Sequence, residues 1–496
     1  MNALFLLVVF LGLVGCAPAV NPYANQSAPN PAALEAVRME RNVIAGFKSP
    51  GTPDALNNAV FLRYRSSQPV APRAVVVLMP GFLGGAGNFD RLARMVVAQD
   101  AALEVWAVDR RSNQLEDHSR MLEANGKRDP MIAWRYYVRD AGTAAGFRPR
   151  EARDIAFMGR WGLHTHLEDL RAVIRQARTV APKVFLGGHS LGSVMVTLYA
   201  GWDFDGTPGA NDLSGLILLD GAAGRTVSSE NPQLERDYLE GQTGPLGIRT
   251  AGVNELESGT APPYFEALGF GPAGLAKYGA AGLLAKFDPQ GDSPGGFVPY
   301  PASNLAAGLL AGVGGDDDFA PITAFSVSLG FADARLGLSA FGLLLGGGLR
   351  VGEVIGPKDG ARRVEWIMPA PNDPKELTDP TDFVQRFWQP FGGTGVDYQE
   401  WYFPARLSLD IAAVGLEAPA WAVTRGLRLT RLSEVRLPFL VAAGGRGIVT
   451  DPGSFKPLER KLGRALEVRT LPGMTHLDVL SARVNPLAGW IVEYAR

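Results

Sequence analysis

One cysteine and five histidines in 496 residues leave no material for a disulfide framework and little for a histidine-built metal site. Lysine and arginine (48) almost balance aspartate and glutamate (50), for a formal net charge of -2. The two signs are interspersed, so the chain carries no electrostatic footprint for a nucleic acid partner. Apolar runs are short as well: the N-terminal one, Ala3 to Val14, spans about twelve residues where a bilayer needs about 20. What the chain does have is 46% hydrophobic against 20% charged residues, enough for one large core or two ordinary ones.

The run "ALFLLVVFLGLV" has the length of a signal-peptide h-region, although only the terminal amine supplies positive charge before it. Leu13-Val14-Gly15-Cys16 resembles a bacterial lipoprotein lipobox. That resemblance implies removal of the leader (1–16), lipidation of Cys16, export to a bacterial cell envelope and anchoring to a membrane by lipid. An ordinary signal cleaved near Ala17 or Ala19, or a buried apolar segment, is the plainer alternative. Residues 17–50 begin "APAVNPYANQSAPNP", without period, and read as a flexible tether.

From Asn58 the chain alternates strands with amphipathic helices. "NAVFLRYR" alternates as a half-exposed strand, and "AVVVLMP", Ala74 to Pro80, is apolar throughout. Asn88 offers an N-cap for "FDRLARMVV", whose Leu92, Met95 and Val96 share a face. "LEVWAVD", a helix through "HLEDLRAVIRQAR", the strand "KVFLGGHS", an all-round apolar helix "LGSVMVTLYAG" and the strand "GLILLDG" follow. Near the C-terminus "LPFLVAAGG" and "LEVRTLPG" flank "PLERKLGRA", and "LDVLSARVNPLAGWIVEYA" reads as a closing helix. Buried strands alternating with helices predict a mostly parallel, doubly wound α/β sheet. Two core parts, 51–221 and 436–496, are separated by residues 222–435, far longer than an ordinary connection of about 4 to 6 residues. This insertion, between the strands ending near Asp220 and beginning near Pro438, is expected to be a mainly helical cap or lid.

The stretch "GGHSLGS" places Ser190 on the turn between a strand and a helix. A G-x-S-x-G match arises by chance roughly 0.3 times in a chain this rich in glycine, so its context decides. In that context the two core parts resemble the α/β-hydrolase superfamily, whose nucleophile elbow sits on such a turn. The resemblance implies a serine nucleophile at Ser190, with Gly188 and Gly192 leaving no room for a Cβ at a tight turn. It implies no metal and no organic cofactor.

A serine hydroxyl needs a base. His476, in "LPGMTHLDVL" after the last strand, stands where the superfamily places it. The other histidines fit less well: His189 lies inside the elbow, His164 and His166 at i and i+2 share no helix face for a metal, and His118 could line the site mouth or pack in a loop. By position, the oxyanion would be held by the backbone amides of Leu191 and of Phe82, in Pro80-Gly81-Phe82-Leu83-Gly84-Gly85 where many relatives carry His-Gly. The acid is open. Gly447, in "VAAGGRGIVTDP", occupies the usual aspartate position; Asp220, at a strand end, is favoured over Asp451, with Asp478 or an acid of the insertion behind them.

The implied activity is a serine hydrolase acting on carboxylic esters through an acyl-enzyme. The apolar insertion, with stretches such as "LGLSAFGLLLGGGL", favours a small-molecule or lipid ester with a hydrophobic acyl group. Acyl transfer, thioester and amide cleavage use the same residues, and a non-catalytic surface lipoprotein that keeps the fold is the reading from another class. Asp316, Asp317 and Asp318 lie between glycine and phenylalanine and read as a solvated loop rather than a cation site. Oligomeric state is not legible.

Overall fold

A computed structural model of the protein describes residues 21–222, 224, 232–243, 249–266, 271–291, 294, 350–355, 362–367, 377–379, 382 and 398–496. Eight strands form one sheet: β1 (Arg38–Ala45), β2 (Asn58–Arg65), β3 (Ala74–Met79), β4 (Leu103–Asp109), β5 (Lys183–His189), β6 (Gly215–Leu219), β7 (Phe439–Arg446) and β8 (Val468–Thr475). Their spatial order is β1-β2-β4-β3-β5-β6-β7-β8. β1 and β2 run antiparallel to their neighbours, and every pairing from β4 to β8 is parallel. The mostly parallel, doubly wound sheet expected from the sequence is therefore present.

The apolar strands make sense as the middle of a sandwich. Successive side chains leave a strand on opposite faces. Val75, Val77 and Met79 of β3 enter one core with helices α2 (Leu163–Arg178) and α3 (Leu191–Gly201), while Ala74, Val76 and Leu78 enter another with α1 (Asp90–Gln99). β6 splits the same way, Leu216 and Leu218 against Ile217 and Leu219. Strands buried on both faces cannot alternate polar with apolar, which is why "AVVVLM" and "GLILL" look continuous.

Between β6 and β7 the chain makes the long excursion. Its described parts include α4 (Pro272–Phe287), α5 (Ala405–Val414) and a hairpin of residues 350–355 with 362–367. The leader, Cys16, Asp316 to Asp318 and Leu336 to Leu349 lie outside the described residues. Among the described residues no helix is long and apolar enough to cross a membrane.

Three local expectations need correction. The tether expected over 17–50 ends earlier, because Arg38–Ala45 pairs along its whole length with β2 as the edge strand of the sheet. Its charged sequence "RMERNVIA" hid it: an edge strand has solvent along one side and carries charge there. Asn88 is not an N-cap; α1 is preceded by a 3-10 turn over Ala86–Phe89, and the Asn88 amide donates instead to the carbonyl of Tyr398 in the insertion. The closing helix is two pieces, Asp478–Ser481 and α6 (Pro486–Tyr494). Pro486 disfavours helix at the residue before it, and Asn485 caps the new start by accepting from the Leu487 amide at 3.1 Å.

Candidate active site at the C-terminal end of the sheet

β5 ends in His189, and Ser190 follows with φ 59° and ψ -123°, a left-handed conformation unusual for a residue with a side chain. The turn is tight enough that a Cβ on Gly188 would overlap the backbone of Gly192, and one on Gly192 would overlap the Met79 carbonyl. Both glycines are therefore required by close approach, as the sequence predicts. Chain direction reverses within this single residue, and α3 begins at once with Leu191. The positive end of that helix faces the serine.

Distance separates the candidate acids. Asp220 closes β6 on the strand beside β5, with φ 40°. Its Oδ2 lies 2.6 Å from His476 Nδ1. The same carboxylate accepts from the Gly444 amide at 2.9 Å and from the Ile448 amide at 3.0 Å. Burial pushes the Asp220 carboxyl up, but the bond and charge of His476 and the two amides outweigh it and hold the carboxyl below its ordinary range. Gly447 is explained by the same geometry: a Cβ there would overlap the Asp220 carboxylate. The usual aspartate position is empty because its space is filled from the neighbouring strand.

Asp451 and Asp478 are engaged elsewhere. Asp451 is exposed and caps a 3-10 turn by accepting from the Gly453 amide at 2.7 Å. Asp478 accepts from the amide and hydroxyl of Thr475 and the hydroxyl of Thr378. Burial raises its carboxyl to about 6.

His476 follows β8, and Ser190 and His476 are both buried. His476 donates through Nδ1 to Asp220, which leaves Nε2 as the acceptor of the ring. Its main chain is held by His189, which the sequence sets aside as part of the elbow. His189 Nε2 donates to the His476 carbonyl at 2.9 Å, and the two rings lie 4.2 Å apart. Complete burial, together with the positive charge His476 can carry, lowers His189 to about 3, so it stays a neutral brace.

The oxyanion candidates are the amides of Leu191, at the first position of α3, and of Phe82. Neither donates to another group among the described residues. Phe82 follows Gly81, which sits against the serine: a Cβ on Gly81 would be 2.8 Å from Ser190 Cβ and 3.3 Å from its Oγ. The Phe82 ring packs edge-on against Phe265 and Phe403, at 5.0 and 4.6 Å. Both come from the insertion, which thus packs on the Phe82 side chain.

The remaining histidines stay apart. His118 is buried, with Nε2 2.9 Å from Glu116 Oε2 and its ring edge-on to Trp401. His164 packs on Phe47, and His166 Nδ1 bonds the Gly162 carbonyl. Among the described residues no group of three or more histidine, cysteine or acidic side chains could hold a metal ion.

The strand order with antiparallel β2 and the serine on the β5–α3 turn settle the architecture. The sheet is of α/β-hydrolase type. Among solved structures, the chain is similar to a candidate lipase from Sulfolobus solfataricus, at 13% identity and a TM-score of 0.47, over 97% of this chain and 100% of that one. It is similar to a peroxisomal α/β-hydrolase from Saccharomyces cerevisiae at 11% identity and a TM-score of 0.40, over 92% and 89% of the two chains. A thermophilic esterase from Thermogutta terrifontis gives 12% identity and a TM-score of 0.38, over 92% and 97%. No protein-family model and no curated protein matches the sequence.

Proposed function

We propose that the protein is a serine hydrolase that cleaves carboxylic esters of hydrophobic acyl groups. The observation that carries this reading is the 2.6 Å contact between Asp220 Oδ2 and His476 Nδ1 beside the strained Ser190. A hydroxyl on a left-handed turn and an imidazole held in one tautomer by a buried carboxylate form the arrangement that acyl transfer requires.

In the proposed reaction Ser190 Oγ attacks the ester carbonyl carbon while His476 Nε2 takes the hydroxyl proton. Asp220 holds the ring and balances the imidazolium, and the amides of Phe82 and Leu191 receive the negative oxygen. Collapse of the tetrahedral intermediate breaks the carbon–oxygen bond to the alcohol, which leaves with the proton of His476. Water, deprotonated by the same ring, then attacks the acyl-enzyme and frees the acid. Phe82 and Phe265, both only partly buried, support a hydrophobic acyl group, because an apolar chain gains by leaving water against them.

The vacant aspartate position was the one sequence feature favouring a scaffold without activity, and the contact of Asp220 with His476 supports the hydrolase reading instead. A fluorophosphonate probe on the chain lacking residues 1–16 tests the reading: labelling is expected in the native chain and lost in Ser190→Ala. No labelling of the native chain overturns it. A p-nitrophenyl ester panel of increasing chain length tests the acyl group, and a maximum at acetate would replace a hydrophobic ester by a small one. We further propose export and lipidation at Cys16, supported by the Leu13 to Cys16 pattern. Cys16→Ala should then move the protein from the membrane fraction to the soluble one.

A further inference from the structure

Beneath the loop that carries Phe82 lies a buried ion pair that the proposed reaction does not use. Arg110 follows β4 and Glu400 belongs to the insertion; both side chains are fully buried, with Arg110 Nε 2.7 Å from Glu400 Oε2. The other guanidinium nitrogens all donate to one turn. Nη1 bonds the Pro80 carbonyl at 2.9 Å, and Nη2 bonds the carbonyls of Gly81 and of Gly84, the latter at 3.1 Å. The second oxygen of Glu400 accepts from the Ser112 hydroxyl.

The insertion is also stitched to this turn by main chain. Gly84 bridges Gln399, the Glu400 amide donates to the Leu83 carbonyl at 2.9 Å, and the Gly85 amide donates to the Tyr398 carbonyl at 2.9 Å. Residues 398–400 therefore lie against the loop like a short extra strand.

The peptide plane gives these contacts a direction. In a trans peptide the carbonyl and the amide of the next residue point opposite ways. With the Gly81 carbonyl drawn to Arg110, the Phe82 amide faces away from Arg110; Gly81 itself touches Ser190. Stability alone does not account for the device, since a buried ion pair is often no better for folding than an apolar pair of the same volume. A guanidinium, by contrast, is a rigid fork that can fix three carbonyls at once.

We propose that Arg110 is a positioning residue that aims the Phe82 amide at the oxyanion, and that it does so only while the insertion supplies Glu400. The inserted segment is then a working part of the oxyanion hole as well as a cover. This rests on the serine hydrolase reading above.

The test uses the chain lacking residues 1–16, with native, Arg110→Lys and Glu400→Gln forms. Three quantities are read: the rate of Ser190 labelling by a fluorophosphonate, kcat and KM for p-nitrophenyl butyrate, and inhibition by butylboronic acid, which mimics the tetrahedral intermediate. Loss of one oxyanion donor costs about 100-fold or more in kcat. Arg110→Lys should approach that loss, Glu400→Gln should lose about tenfold, and both should bind the boronic acid weaker in proportion while KM stays within about threefold. A merely structural role would lower the melting temperature and leave the boronic acid affinity of the folded fraction unchanged. Folded variants with native labelling rates overturn the proposal and leave the hydrolase reading standing. An unlabelled native chain overturns both. If Arg110→Lys does not fold, Glu400→Gln, which keeps size and shape, decides alone.

Discussion

Replacing Asp220 by asparagine changes one oxygen into an NH2 group at a site with three donors. Gly444 donates to Oδ1, and Ile448 and the His476 ring donate to Oδ2. Whichever way the new amide turns, its NH2 meets an N–H. A buried donor left unpaired costs about 1–3 kcal/mol, so the urea midpoint should fall accordingly. The effect on turnover should be larger. An asparagine that offers NH2 to His476 favours the tautomer with its proton on Nε2, which can no longer take the proton of Ser190. In a serine protease with such a triad the equivalent change costs about 10⁴ in kcat, or about 5.5 kcal/mol of barrier. Stopped-flow measurement of p-nitrophenyl ester acylation, with a urea melt on the same sample, separates the two effects.

The neighbouring glycine extends the experiment. Gly447→Asp alone should fail, because its Cβ overlaps the Asp220 carboxylate. Combined with Asp220→Gly, it places a carboxylate in nearly the same space from the loop just after β7. The double variant should recover at least about tenfold over Asp220→Gly alone. Asp220→Asn with acylation within about threefold of native would refute the assignment and mean that another group holds His476.

Three further outcomes follow from the same site. His189→Asn should slow acylation about tenfold with little change in KM, because the His476 backbone loses its brace; a native rate would show that the brace is dispensable. Gly81→Ala should depress kcat, its new methyl crowding Ser190 Oγ, and an unchanged kcat in that variant would mean the loop yields freely. Acid should destabilise the fold: His166 and His189, both lowered to about 3 by burial, stay neutral in the native state while the unfolded chain takes their protons below about pH 6.5. Each costs up to about 1.4 kcal/mol per pH unit, and Asp478, raised to about 6, returns about one such share between pH 6 and 4. The buried carboxyls of Asp169 and Glu400, also raised by burial, offset part of the rest. Comparing native and His189→Asn chains by urea unfolding isolates the histidine share. The native chain should lose more stability from about pH 6 to 4, and an equal loss would contradict it.

Where local physics dominates, the structure was readable in advance. β3 and β6 announce themselves by apolar runs, and β2 begins at Asn58 as the alternation predicts. The turn at Ser190 was legible because a strand-to-helix turn leaves a glycine signature, and His476 was a candidate because the topology leaves one histidine beyond the last strand. What escaped depends on partners far away in sequence. Glu400, within "DYQEWYF", looks like one charge among aromatics until Arg110, 290 residues earlier, is beside it. Two arginines directly after the apolar β4 were the available signal, since charges there sit where the site must lie. His189 hid in plain view, its ring given no partner by anything within reach of the turn.

The order of the chain through the sheet has a consequence for biosynthesis. Ser190 and Asp220 stand on adjacent parallel strands made early, whereas His476 comes only after the whole excursion between β6 and β7 has been synthesised. A ribosome-bound or prematurely terminated chain would carry the serine and the acid without a base. Under the proposed reaction, activity is thereby tied to completion of the chain.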